Sequence, residues 1–138
     1  MSDQESLKAA ALPSSEALAY LGDAVYSLYV REALVRAGIS HAGDLNRLSL
    51  SFVTAPKQAE FLYAIKDSFT EWEADVYHRA YNHKGLKPPK RASYAEYRAA
   101  TGLEAVIGAL HYTKQTDRIN ELLQKAEAFI EQERKDTL

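Results

Sequence analysis

The 138-residue chain carries a formal net charge of −2 with 46% apolar and 26% charged residues, which fits a single globular domain and excludes extensive disorder. It contains no cysteine, so disulfides, zinc–thiolate centres and cysteine nucleophiles are excluded together. The acidic, polar start Met1-Ser2-Asp3-Gln4-Glu5 is no signal peptide, and no apolar run reaches the roughly eighteen residues that span a bilayer, so a soluble cytoplasmic protein without a membrane partner is expected.

Residues 1–13 read as a flexible start. Ser14 and Ser15 then offer an N-cap to a helix with Leu18, Leu21, Val25 and Leu28 as its core stripe, and Gly38 is placed to stop it. Leu45, Leu48, Phe52 and Val53, then Leu62 and Ile65, predict one or two further helices, with Pro56 near a start or a kink. Thr70-Glu71-Trp72-Glu73 opens another helix, running through Val76 towards Tyr81. Residues 84–92, with Gly85, Pro88 and Pro89, read as a basic loop. Ser93-Tyr94-Ala95-Glu96 is a capping-box pattern for a helix that carries Glu104, and Ile119, Leu122, Leu123, Ala126 and Ile130 mark the last helix. Strand alternation, internal repeats and low-complexity tracts are absent, which predicts an all-α fold in one domain over 1–138.

Charge is unevenly spread. Between His78 and Arg98 the chain holds Arg79, Lys84, Lys87, Lys90, Arg91 and Arg98 against the single acid Glu96, a patch suited to a polyanion. The alternative is a solvated basic loop.

Two acids sit in small-residue helical runs, Asp23 in Leu21-Gly22-Asp23-Ala24-Val25 and Glu104 in Gly102-Leu103-Glu104-Ala105-Val106. Burying a carboxylate among such residues is costly unless something pairs with it, and a divalent cation is one such partner. The competing reading is that each acid is solvated on an amphipathic helix. Helical spacing aligns Glu16, Ala19 and Asp23 on one face and Thr101, Glu104 and Gly108 on another, so two packed helices would gather the acids around one cavity. Oxygen-only donors with open positions suit Mg²⁺ or Mn²⁺ rather than zinc. His78 and His83 have poor spacing for a shared metal, and His41 and His111 are isolated.

The run from Glu16 to Val25 resembles the signature helix of the ribonuclease III catalytic domain, and Tyr97 to Leu110 is similar to that family's second acidic motif. The order of the motifs and the length, which leaves no residues for a double-stranded-RNA-binding domain, resemble the short Mini-ribonuclease III branch. The resemblance implies a ribonuclease III-like helical bundle, with Asp23 and Glu104 as catalytic and metal-binding residues and Glu16 as a supporting acid. Ala19 and Thr101 replace two acids of the full-length family's pattern, which lowers the site's charge, and Thr101 retains a hydroxyl to orient water.

The implied activity is Mg²⁺-dependent hydrolysis of double-stranded RNA, with Mn²⁺ as a substitute ion, leaving 5′-phosphates and 3′-hydroxyls. The implied substrate is the stalk of precursor 23S ribosomal RNA, cut by a homodimer formed through the signature helix, where Tyr20, Ala24, Tyr26 and Tyr29 are the positions to inspect. Arg79, Asn82, Lys84, Lys87, Lys90 and Arg91 form the expected RNA backbone clamp. The competing function classes are a catalytically silent RNA-binding domain and a helical protein-interaction module.

Overall fold

Side-chain caps fix where three of the helices begin. The computed structural model describes residues 11–83 and 93–137, which form α1 (Ser15–Arg36), α2 (Ala42–Phe52), α3 (Ala55–Ile65), a 3₁₀ turn (Lys66–Ser68), α4 (Glu71–Tyr81), α5 (Tyr94–Tyr112) and α6 (Thr116–Thr137). No strand occurs among the described residues, so the fold is all-α. The expected basic loop at 84–92 and residues 1–10 of the expected flexible start lie outside the described residues.

Ser14 caps α1 by accepting the Ala17 amide, and Pro56 sits in the first turn of α3. Thr70 with Glu73 and Ser93 with Glu96 form complete capping boxes at α4 and α5. At the end of α1, Gly38 takes φ of +91°, its amide donates to Val35 and the Ile39 amide to Leu34. The same closure ends α5 with a non-glycine residue, Lys114 at φ 60°, which donates to His111 while Gln115 donates to Leu110.

Helix α5 is the central element. From Ala99 to Leu110 every residue is buried except Glu104. Helix α1 crosses it with backbone against backbone. A Cβ on Gly22 would lie 1.7 Å from the Glu104 carbonyl oxygen, and one on Gly108 would lie 1.9 Å from the Leu18 carbonyl oxygen. This close crossing decides which face of α1 is inside, and it corrects the stripe expected from periodicity. Leu18 and Val25 are buried, but Leu21 is half-buried and Leu28 is 53% exposed. The inward face instead runs through Leu18, Gly22, Tyr26, Val30 and Leu34, because the glycine must face α5.

Around this pair, Phe52, Phe61 and Phe129 pack with Tyr26 between α1, α2, α3 and α6. The Arg118 guanidinium ties α6 to α4 through Glu73, at 2.8 and 2.9 Å, and to the 3₁₀ turn through the Ser68 carbonyl. Among the described residues no helix is long and apolar enough to cross a membrane.

Candidate active site

Asp23 and Glu104 meet where α1 crosses α5. Together with Glu16, Ala19, Tyr20, Tyr97 and Thr101 they line a cavity of about 310 Å³. The crossing explains the meeting: Gly22 precedes Asp23 and rests on the Glu104 carbonyl, so the two carboxyl-bearing residues are held at the point of closest approach.

The pair is electrostatically strained. Burial pushes the Glu104 carboxyl up, and a hydrogen bond to Asp23 together with the Asp23 charge pushes it further, to about 9, against an opposing hydrogen bond from Gln58. Of the groups that act on Glu104, neither Asp23 nor Gln58 is a cation. The Glu104 carboxyl thus favours its protonated form, and a bound cation would relieve the same repulsion. The donor set contains oxygens only, as a hard divalent cation requires. Among the described residues no cluster of three or more His, Asp or Glu side chains converges on one point. Two carboxylates suffice for an ion such as Mg²⁺, which retains several waters and takes its other oxygens from a phosphate.

Glu16 lines the same cavity, but its carboxylate lies 2.7 Å from His83 Nε2 rather than against Asp23 or Glu104. The Thr101 hydroxyl donates to the Tyr97 carbonyl at 2.9 Å, which leaves its oxygen able to accept, and the residue lines the cavity. Gln58 is a site residue that the sequence reading did not identify. It is buried on α3, and its amide donates to Glu104 Oε2 at 3.5 Å. Sequence alone offered one cue, a glutamine within the otherwise apolar inward face of α3.

Residues 16–115 match the Ribonuclease III domain. The chain belongs to the ribonuclease III domain family. It is 46% identical over 114 residues to "Mini-ribonuclease 3" of Symbiobacterium thermophilum, a match that covers 83% of this chain and 88% of that relative. It is 39% identical over 109 residues to "Mini-ribonuclease 3" of Enterococcus faecalis, covering 78% and 83% respectively. The crystal structure of a protein from Fusobacterium nucleatum superimposes with a TM-score of 0.74 at 30% identity, covering 82% of this chain and 90% of that one. Membership of the ribonuclease III family makes the chain an endoribonuclease, a hydrolase. The family acts on double-stranded RNA and is generally dependent on divalent metal.

The expected RNA clamp is only partly within the described residues. Arg79 and Asn82 are exposed at the C-terminal end of α4, whereas Lys84, Lys87, Lys90 and Arg91 lie outside them. Of the tyrosines expected at a subunit contact, Tyr20 is 74% exposed. Tyr26 is buried with its hydroxyl donating to the Phe52 carbonyl, and Tyr29 donates to Asn120 on α6. Burial removes Tyr26 from any contact with a second copy, whereas Tyr29 is half-buried and lines a surface hollow. A larger hollow of about 450 Å³ lies between α1 and α6, away from the acid pair.

Proposed function

We propose that this endoribonuclease cuts duplex RNA at a divalent-cation centre held by Asp23 and Glu104, with Mg²⁺ as the ion and Mn²⁺ as a substitute. The observation that carries this reading is the meeting of two uncompensated carboxyls, one pushed up to about 9, in an open cavity of a ribonuclease III domain. When bound, such an ion acidifies water and neutralises charge on the scissile phosphate.

The chain's own residues supply the rest. Asp23 and Glu104 would hold the ion through their carboxylate oxygens, Glu104 losing the proton that burial and the neighbouring acid favour. Gln58 donates to Glu104 Oε2 and restrains the carboxylate from the buried side. Thr101, with its hydroxyl hydrogen directed at Tyr97, offers an acceptor that orients a water molecule. Arg79 and Asn82, with Lys84, Lys87, Lys90 and Arg91, bind the phosphate backbone, which runs past both grooves of an A-form duplex. In-line attack at phosphorus leaves a 5′-phosphate and a 3′-hydroxyl.

We infer further that two copies join through the outer face of α1, where Tyr20, Ala24 and Leu28 are exposed on either side of Asp23. Two centres then face the two strands of one duplex. The biological substrate in this reading is the double-stranded stalk of precursor 23S ribosomal RNA, matured in the cytoplasm during ribosome assembly.

The test is cleavage of an end-labelled precursor 23S stalk beside an unrelated duplex of equal length. Preferred cutting of the stalk at discrete positions, with 5′-phosphate ends and a requirement for added Mg²⁺, supports the proposal. Equal cutting of both duplexes removes the ribosomal assignment, and metal-independent cutting removes the metal centre.

A further inference from the structure

Among the described residues seven line the cavity that gathers the acid pair, and each has a definite hydrogen-bonding role. Asp23 and Glu104 present carboxyl oxygens, which only accept once they are ionised around a cation. Glu16 is paired at 2.7 Å with His83 Nε2. Thr101 directs its one hydroxyl hydrogen at the Tyr97 carbonyl, 2.9 Å away. Ala19 has no polar side-chain atom. Tyr20 and Tyr97 remain, and neither hydroxyl has a hydrogen-bond partner among the described residues.

The two tyrosines differ in how firmly they are held. Tyr20 is 74% exposed, on the outer face of α1 with Ala24 and Leu28. Tyr97 is half-buried in the first turn of α5, which the Ser93–Glu96 capping box fixes at its start. Its amide donates to the Ser93 carbonyl at 3.0 Å, and its carbonyl accepts the Thr101 hydroxyl. The next residue, Arg98, donates to the Tyr81 carbonyl at 2.6 Å and ties this turn to α4. Tyr97, Thr101 and Glu104 share one face of α5, and the seven residues from first to last rise about 10.5 Å. Tyr97 therefore stands two turns from the acid pair, at the same cavity but away from the scissile phosphate itself.

A strand of A-form RNA offers that cavity phosphate oxygens, which only accept, and 2′-hydroxyls, which both donate and accept. A phenol matches the 2′-hydroxyl in both roles, and its half-buried ring has little freedom left to lose on binding. Among the described residues no cationic side chain lines the cavity, so its wall away from the acids is not built as a phosphate clamp. We propose that Tyr97 is a specificity-determining residue that hydrogen-bonds a ribose 2′-hydroxyl beside the scissile phosphate and so favours RNA over DNA. This rests on Asp23 and Glu104 forming the cleavage centre.

The experiment compares wild type and Tyr97→Phe on an all-ribose duplex and on duplexes with a single 2′-deoxynucleotide, moved position by position across the cut. It reads kcat/KM in Mg²⁺, duplex Kd in metal-free buffer, and the melting temperature of each protein. Tyr97→Phe removes only the hydroxyl, so kcat/KM on the all-ribose duplex should fall about tenfold with the melt unchanged. For wild type, deoxy substitution at one position should cause a loss of the same size, about tenfold. At that position Tyr97→Phe should lose nothing more, because the partner is already gone, and Kd should weaken in the same pattern. A Tyr97→Phe enzyme that cuts the all-ribose duplex as wild type does overturns the inference. Losses that multiply at every position, in kcat/KM or in Kd, overturn it as well, since they show a hydroxyl that meets a phosphate or only packs. If wild type fails to cut with Mg²⁺, or Asp23→Asn cuts normally, the cleavage-centre reading fails and the inference falls with it. If that reading holds while Tyr97→Phe and the deoxy substitutions act independently, the inference alone fails.

Discussion

Substituting Gly22 by alanine tests whether the helix crossing that gathers the acids is as tight as the backbone indicates. The added Cβ would stand 1.7 Å from the Glu104 carbonyl oxygen and 2.8 Å from the Gly108 amide nitrogen. Both are backbone atoms of α5, so no side-chain rotation relieves the overlap. Restoring ordinary contact requires α1 and α5 to separate by about 1.5 Å, and overpacking of this kind costs about 3 kcal/mol or more. The same displacement separates Asp23 from Glu104, and a misplacement of about 1 Å in a catalytic group costs on the order of 100-fold in rate. Urea unfolding followed by circular dichroism, with duplex cleavage in parallel, reads both effects. Gly43→Ala is the matched control, since nothing lies within 4 Å of its Cβ and it sits within helix α2. That control should be neutral or stabilising by about 0.5 kcal/mol. A Gly22→Ala protein within about 0.5 kcal/mol of wild type that still cleaves fully would refute the reasoning.

Three other outcomes follow from the same structure. Burial alone would raise the Glu73 carboxyl, but its hydrogen bonds from Arg118 and Thr70 outweigh that and hold it below the usual range. Its stabilisation is thus present above the unfolded-state value and lost as pH falls through the folded one. Glu73→Gln should cost about 3 kcal/mol at neutral pH by leaving Arg118 without its partner, with the difference shrinking below about pH 4; a pH-independent difference in urea titrations would contradict this. Glu104 has the opposite sign, its carboxyl being pushed up to about 9, so its contribution is full below the ordinary carboxyl range and declines as pH rises towards that value. In metal-free buffer Glu104→Gln should therefore melt above wild type by a margin that widens from acid to mildly alkaline pH, and a margin that does not change with pH would contradict the strain. Lys114 occupies φ 60° at the end of α5, and Lys114→Gly should stabilise by about 0.5 kcal/mol in the same urea assay, whereas a loss of stability would show that its side-chain contacts outweigh the backbone strain.

Helix starts were the most legible part of the sequence because their signals are local. The serine and threonine caps with glutamate three residues on specify Thr70 and Ser93 without reference to distant contacts, and both close as capping boxes. The rotation of α1 was not legible. Leu21 and Leu28 satisfy a 3.6-residue period as well as the truly buried residues do, and only the backbone contact at Gly22 and Gly108 decides between the two faces. For the same reason the burial of Tyr26, whose hydroxyl donates to the Phe52 carbonyl, was not legible either. In the candidate site, the spacing that put Asp23 and Glu16 on one face and Glu104 and Thr101 on another is the spacing that lines the cavity. Gln58, from a third helix, has no sequence spacing to either acid, and the Glu16–His83 pair joins residues 67 positions apart. Such partners arise from tertiary packing, and periodicity within one helix carries no trace of them.

The measurement that bears most directly on the proposed centre is cleavage and binding of one labelled duplex by wild type and Asp23→Asn, with and without Mg²⁺. Mg²⁺-dependent cutting by wild type, and its loss in Asp23→Asn with duplex binding kept within about threefold, is the predicted result. Cutting by Asp23→Asn at the wild-type rate, or by wild type in the presence of excess chelator, would contradict a catalytic centre built on Asp23 and Glu104.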